Sequence, residues 1–130
     1  MEYLNREDIT ENVAIIKINR SYKDTLTATE LYDCTRGCWK RKIESVQEAE
    51  YVLAVANGIV REVYKVEEWL PAHKLDRETI PYDSDVEKDR IGFCGNIAND
   101  KIRNQYIGKC AKRLFKRGEA NPVKIILRDK

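Results

Sequence analysis

The run Tyr51–Trp69, YVLAVANGIVREVYKVEEW, constrains the fold more than any other stretch of the chain. Two β-prone apolar runs flank the pair Asn57-Gly58. A two-residue Asn-Gly loop favours a type I′ turn, whose central residues both take positive φ. The pair therefore predicts an antiparallel hairpin with strands over 51–56 and 59–68. The second strand carries apolar groups on both faces: Ile59 and Val63 on one, Val60, Tyr64 and Val66 on the other. A strand wetted on one face alternates cleanly. This one is expected to be covered on both sides, as in a small closed or nearly closed barrel.

A chain of 130 residues fits one domain, 1–130, and can bury a substantial core. Its 42% hydrophobic residues balance 35% charged ones, the mark of a globular chain rather than a disordered one. No apolar run approaches a membrane span, and the opening MEYLNREDITEN is too acidic for a signal peptide. A cytoplasmic protein is expected. Without a secretory signal, Cys34, Cys38, Cys94 and Cys110 are expected to be reduced. Only Cys34-x-x-x-Cys38 is closely spaced and His73 is the single histidine. Neither a metal site nor a cofactor is expected.

The net charge of +2 conceals a division. Residues 101–130 hold ten Lys and Arg against Glu119 and Asp129, whereas residues 1–100 hold fourteen basic and twenty acidic residues. Such clustering points to a basic surface aimed at an anionic partner, most simply nucleic acid. The competing reading is a solvated charged face.

The other elements follow in order. VAIIKI at 13–18 reads as the first strand. Thr27-x-x-Glu30 has capping-box spacing and predicts a short helix from Ala28, stopped by Gly37. TRGCWKRK at 35–42 sets Trp39 between Arg36 and Lys40, beside a glycine, which is the composition that base stacking with phosphate contact requires. Trp39 as a plain core residue is the alternative. IESVQEAE at 43–50 predicts one or two helical turns. Residues 71–89 read as a long polar surface loop.

RIGFCGNIA at 90–98 alternates bulky Ile91, Phe93 and Ile97 with small Gly92 and Cys94. It reads as a strand whose small face admits a helix, another strand or a ligand. After a cap at Asn99 or Asp100, Ile102, Tyr106, Cys110 and Leu114 recur every four residues. They predict an amphipathic helix to Gly118, weakened or split at Gly108 and carrying Lys109, Lys112, Arg113, Lys116 and Arg117. VKIIL at 123–127 reads as the last strand.

The expectation is an α+β chain: a small mixed β-barrel of about five to six strands with two or three helices between strands. The order of elements resembles the PUA-like superfamily, which includes the ASCH, EVE and YTH domains. The residues that carry the resemblance are Gly-Ile-Val-Arg-Glu-Val-Tyr at 58–64, the Trp39 segment before it and the strand at 90–97. The resemblance implies a nucleic-acid-binding module, DNA or RNA, that holds a modified or flipped base in an aromatic pocket. Trp39 and Trp69 are then the candidate walls, with Arg36, Lys40, Lys109, Lys112, Arg113, Lys116 and Arg117 as the nucleic-acid-binding cations. Trp69 as a cap on the barrel is the plainer reading.

Catalysis leaves little trace. No Ser-His-Asp set is present, and the acidic residues of the 71–89 loop, among them Asp83, Asp85, Glu87 and Asp89, have no specific spacing. Two alternatives to a nucleic-acid reader stand. One is a protein-interaction or regulatory module of the same fold, with a larger protein as partner. The other is a small hydrolase acting on nucleic acid, for which Glu67 and Glu68 are the available carboxylates.

Overall fold

The computed structural model describes residues 2–75, 77, 79–80, 89–119 and 121–128. Five strands form one sheet: β1 (Val13–Lys17), β2 (Tyr51–Ala56), β3 (Ile59–Pro71), β4 (Ile91–Ile97) and β5 (Val123–Ile126). Their spatial order is β4-β3-β2-β1-β5. Helix α1 (Ala28–Arg36) lies between β1 and β2, and helix α2 (Asp100–Tyr106) follows β4. Short 3-10 turns occupy Arg6–Asp8, Ile43–Ser45, Ala72–Lys74 and Lys112–Leu114.

The hairpin forms as its sequence predicts. β2 and β3 pair antiparallel with Val55 opposite Val60 and Ala56 opposite Ile59. Asn57 and Gly58 between them take φ of 52° and 81°, the signature of the type I′ turn. β3 runs on to Pro71, whose partner is Ile91 at the start of β4. β1 joins β2 in parallel through the α1 crossover and pairs antiparallel with β5.

The sheet is open. β4 and β5 are its two edges, so the expected closed barrel does not form. The apolar pattern on both faces of the hairpin has another cause: each face of the open sheet is covered by its own layer. Val13, Ile15, Leu53, Val55, Val60 and Val63 pack with Ile102 and Tyr106 of α2, Leu114, and Leu4 and Ile9 of the N-terminal segment. Ala14, Ile16, Val52, Ala54 and Tyr64 face the other way, against Cys34 of α1, Val46, Trp69 and Phe93. Two-sided burial is what a central strand needs in either architecture, and the pattern alone does not distinguish closure from layering.

The helix expected to reach Gly118 ends at Tyr106. Asn99 caps its start, its Oδ1 accepting from Ile102 N at 3.0 Å. Gly108 takes φ of 82° and turns the chain away. Beyond it the backbone pairs with neighbours instead of with itself. Gly108 N donates to Val60 O (2.9 Å), Cys110 N to Glu2 O (2.8 Å) and Ala111 N to Gly58 O (2.7 Å). Ile102, Tyr106, Cys110 and Leu114 are all buried as their spacing implies, but only the first two lie on the α-helix, and Leu114 belongs to the separate 3-10 turn. The predicted turns at 43–50 reduce to the 3-10 turn at Ile43–Ser45. Of the 71–89 loop, residues 76, 78 and 81–88 lie outside the described residues, and with them Asp83, Asp85 and Glu87. No helix among the described residues is long and apolar enough to cross a membrane.

Candidate nucleic-acid interface

Three chain segments meet where β1 ends. The first is β1 itself. After Lys17 the chain turns sharply, with Ser21 N and Tyr22 N both donating to Ile18 O at 3.0 and 2.9 Å. Asn19 Oδ1 accepts from Asn57 N at 2.8 Å, which ties this turn to the tip of the β2–β3 hairpin.

The second segment leaves α1. The helix starts on a capping box in which Thr27 Oγ1 accepts from Glu30 N and Glu30 accepts from Thr27 N. It ends at Arg36, next to β4. An added Cβ on Gly92 would lie 2.0 Å from the Arg36 carbonyl oxygen, so only glycine lets the helix end approach the strand this closely. The small face of β4 thus admits a helix end. Trp39 is then fixed twice. Its main chain exchanges hydrogen bonds with Ile91 at 2.8 and 2.9 Å, and its indole Nε1 donates to Thr35 O at 2.8 Å.

The third segment is 108–117, held on the hairpin tip by the Gly58 and Val60 bonds described above. The side chain of Lys112 lies directly against Gly58, where a Cβ would come within 2.6 Å of its Cε.

Two clefts open between these segments. One, of about 480 Å³, is walled by the Ile18–Ser21 turn, Cys38–Lys40, Arg90 and Pro122. The other, of about 290 Å³, is walled by Val55, Gly58, Lys112 and Phe115–Arg117. Lys17 and Asn19 line both, so the clefts adjoin. Seven cations face them: Lys17, Arg20, Lys40, Arg90, Lys112, Lys116 and Arg117. No Asp or Glu is in either lining. Among the described residues, Arg20, Lys40, Lys112, Lys116 and Arg117 have no carboxylate within ion-pair distance.

Lys17 is the exception in degree. Its Nζ donates to Glu119 O at 3.1 Å and sits 4.0 Å above the Phe115 ring. Glu119 itself stands just outside the clefts. Its carboxyl is held below the ordinary range, first by the N–H of Lys116 and then by the Lys124 ammonium.

The expected site residues divide. Trp39 and Lys40 reach the larger cleft, and Lys112, Lys116 and Arg117 reach the smaller one. Trp69 does not take part. It is buried in the core with its ring centroid 5.4 Å from Phe93, and its Nε1 donates to Ala49 O at 3.2 Å. Arg36 is buried against Asp33, Nε to Oδ1 at 3.1 Å, and lies over the Tyr32 ring. Lys109 pairs with Glu2 at 3.7 Å, and Arg113 stacks 4.2 Å over Tyr3. Lys17, Arg20 and Arg90 were not legible as site residues. Their only sequence mark is polarity at a strand end, and their convergence depends on which strand ends lie side by side.

The hydrolase carboxylates are not at the clefts. Glu67 and Glu68 are exposed on β3, and Glu67 Oε1 accepts from Asn96 Nδ2 at 2.6 Å. Among the described residues no group of three or more His, Cys, Asp or Glu is placed to hold a metal ion. None of the four cysteines is in a disulfide. Burial pushes the Cys34 thiol up, whereas Cys38 borders the larger cleft.

Fold and site together define an open, two-face-covered α/β sheet with a cationic cleft at one end. Comparison with protein-family models, curated proteins and solved structures finds no match.

Proposed function

We propose that the protein binds nucleic acid along the paired clefts. The observation that carries this reading is the set of seven cations with no carboxylate in the lining, arranged around a tryptophan whose backbone and indole are both pinned. A fold that needed these charges for its own stability would pair them. Arg20, Lys40, Lys112, Lys116 and Arg117, which have no carboxylate within ion-pair distance among the described residues, concentrate positive potential in a concave surface, which attracts a polyanion and orders its phosphates. A half-buried indole beside them supplies a face for a base. Four cysteines outside any disulfide fit a reducing compartment, and the cytoplasm holds both nucleic acid and that redox poise.

The test is a titration of tryptophan fluorescence and of dye-labelled oligonucleotide anisotropy at low and moderate salt. The expected result is saturable binding that weakens steeply as salt rises, since each phosphate contact releases a counterion. Absence of binding to any DNA or RNA at low salt would end the proposal.

A further inference from the structure

The two clefts share Lys17 and Asn19 but differ in what they can hold. Resting on the nucleic-acid reading above, the geometry points to a single strand as the ligand: one unpaired base against Trp39 in the larger cleft, the neighbouring phosphates in the smaller one, with the backbone crossing Lys17.

Three observations carry this. First, the aromatic groups of the clefts are not equivalent. Phe115 in the smaller cleft already has Lys17 Nζ 4.0 Å and Lys124 Nζ 5.6 Å from its ring centroid. Its face is covered by cations, so this compartment offers charge and not stacking. Trp39 has no ammonium or guanidinium over it among the described residues, and its rigid attachment to Thr35 and Ile91 fixes the indole before a ligand arrives. A cleft of about 480 Å³ is within the range that encloses small organic groups, which includes a base.

Second, a base stacks on a side chain only when its face is free, which in a duplex it is not.

Third, the protein has no element suited to a duplex groove. α1 and α2 are nine and seven residues long. Arg36 of α1 is held by Asp33, and Arg103 of α2 forks onto Glu62 at 2.9 and 3.1 Å. α2 exposes Lys101 and Asn104 but no second unpaired cation, and α1 exposes no cation, so neither helix presents the row of cations of a recognition helix. The unpaired cations of the clefts all lie on loops and a 3-10 turn around a concavity, where a flexible strand can bend in and a stiff rod cannot.

Single-stranded DNA and RNA of eight nucleotides, a blunt two-strand duplex of the same sequence without a loop, and poly-glutamate provide the test on the intact protein. Anisotropy reports binding, and indole fluorescence reports stacking. Both single strands, or one of them, should bind and quench Trp39, with the duplex at least about tenfold weaker. Trp39→Leu should lower single-strand affinity about tenfold while keeping the salt dependence. The variant K112Q/K116Q/R117Q should keep the quench and flatten the log–log salt slope by about 2.

A duplex bound as tightly as the single strand, or a single strand bound without quenching, would overturn the inference while leaving nucleic-acid binding intact. Loss of quenching in the triple variant would overturn the division into two compartments. Binding of poly-glutamate alone would overturn both this inference and the reading on which it rests.

Discussion

Trp39 and Trp69 both donate their indole Nε1 to a backbone carbonyl and both pack on the same apolar cluster, and the degree of burial separates them. Trp69 points from β3 into the cluster of Phe93 and Ala49. Trp39 sits after the end of α1, half-buried against that cluster and in the lining of the larger cleft. Trp69→Ala should therefore cost roughly 3–5 kcal/mol in a urea titration, whereas Trp39→Ala should cost clearly less and act on binding. Equal losses of stability would return Trp39 to the core.

Tyr106 makes a second residue-level prediction. Burial first, then a hydrogen bond from its hydroxyl to Glu11 at 2.6 Å, push its pKa from 10.0 up to about 12. An acid whose folded pKa is raised contributes stability in full below its unfolded value and loses it as pH climbs to the folded value. Thermal stability should thus fall between pH 10 and about 12. Tyr106→Phe should be less stable at neutral pH and lose less across that window. An identical alkaline loss in the variant would assign the effect to other groups.

At the scale of elements, local chemistry was legible and adjacency was not. The Asn57-Gly58 turn, the Thr27–Glu30 capping box and the alternation over 90–97 each specify their element through groups a few residues apart. Two of the three site segments were also visible, in the TRGCWKRK and 109–117 runs. What the sequence hid is pairing over long separations: that β1 lies between β2 and β5, so that Lys17 and Arg20 emerge between those two runs. The same blindness extended the second helix too far. Its four-residue periodicity was true to burial, but the bonds that replaced the helix come from Glu2, Gly58 and Val60, all distant in sequence.

Two glycines separate these causes experimentally. Gly108 has positive φ and nothing within 4 Å of an added Cβ, so Gly108→Ala should cost only the left-handed backbone penalty, roughly 1–2 kcal/mol. Gly92 has ordinary φ but a backbone carbonyl where the Cβ would go. Gly92→Ala should cost roughly 3 kcal/mol or more and displace the α1 end together with Trp39. Chemical denaturation and the Trp39 emission maximum read both effects. A benign Gly92→Ala would mean that the helix end moves freely against β4.

For the whole molecule, the proposed function implies that a cationic cleft formed by three separate segments couples stability to ligand. The cations repel one another in the free protein, and a bound polyanion removes that repulsion while joining the segments. Salt should therefore raise the melting temperature of the free protein slightly while weakening binding, two opposite responses to one variable. A ligand at a hundredfold its Kd adds roughly 2.7 kcal/mol, which for a domain of this size is a rise of on the order of 10 °C. The decisive comparison is the free K112Q/K116Q/R117Q variant. Glutamine keeps the Cβ and Cγ methylenes, of which Lys112 Cγ also lies against Gly58, and replaces the charged end with a neutral amide. If the charges serve a ligand, this variant melts at or above the parent at low salt and loses most of the ligand-induced rise. If instead it melts several degrees lower with no ligand present, the cations are part of the fold's own electrostatics, and the cleft is a solvated surface rather than a site.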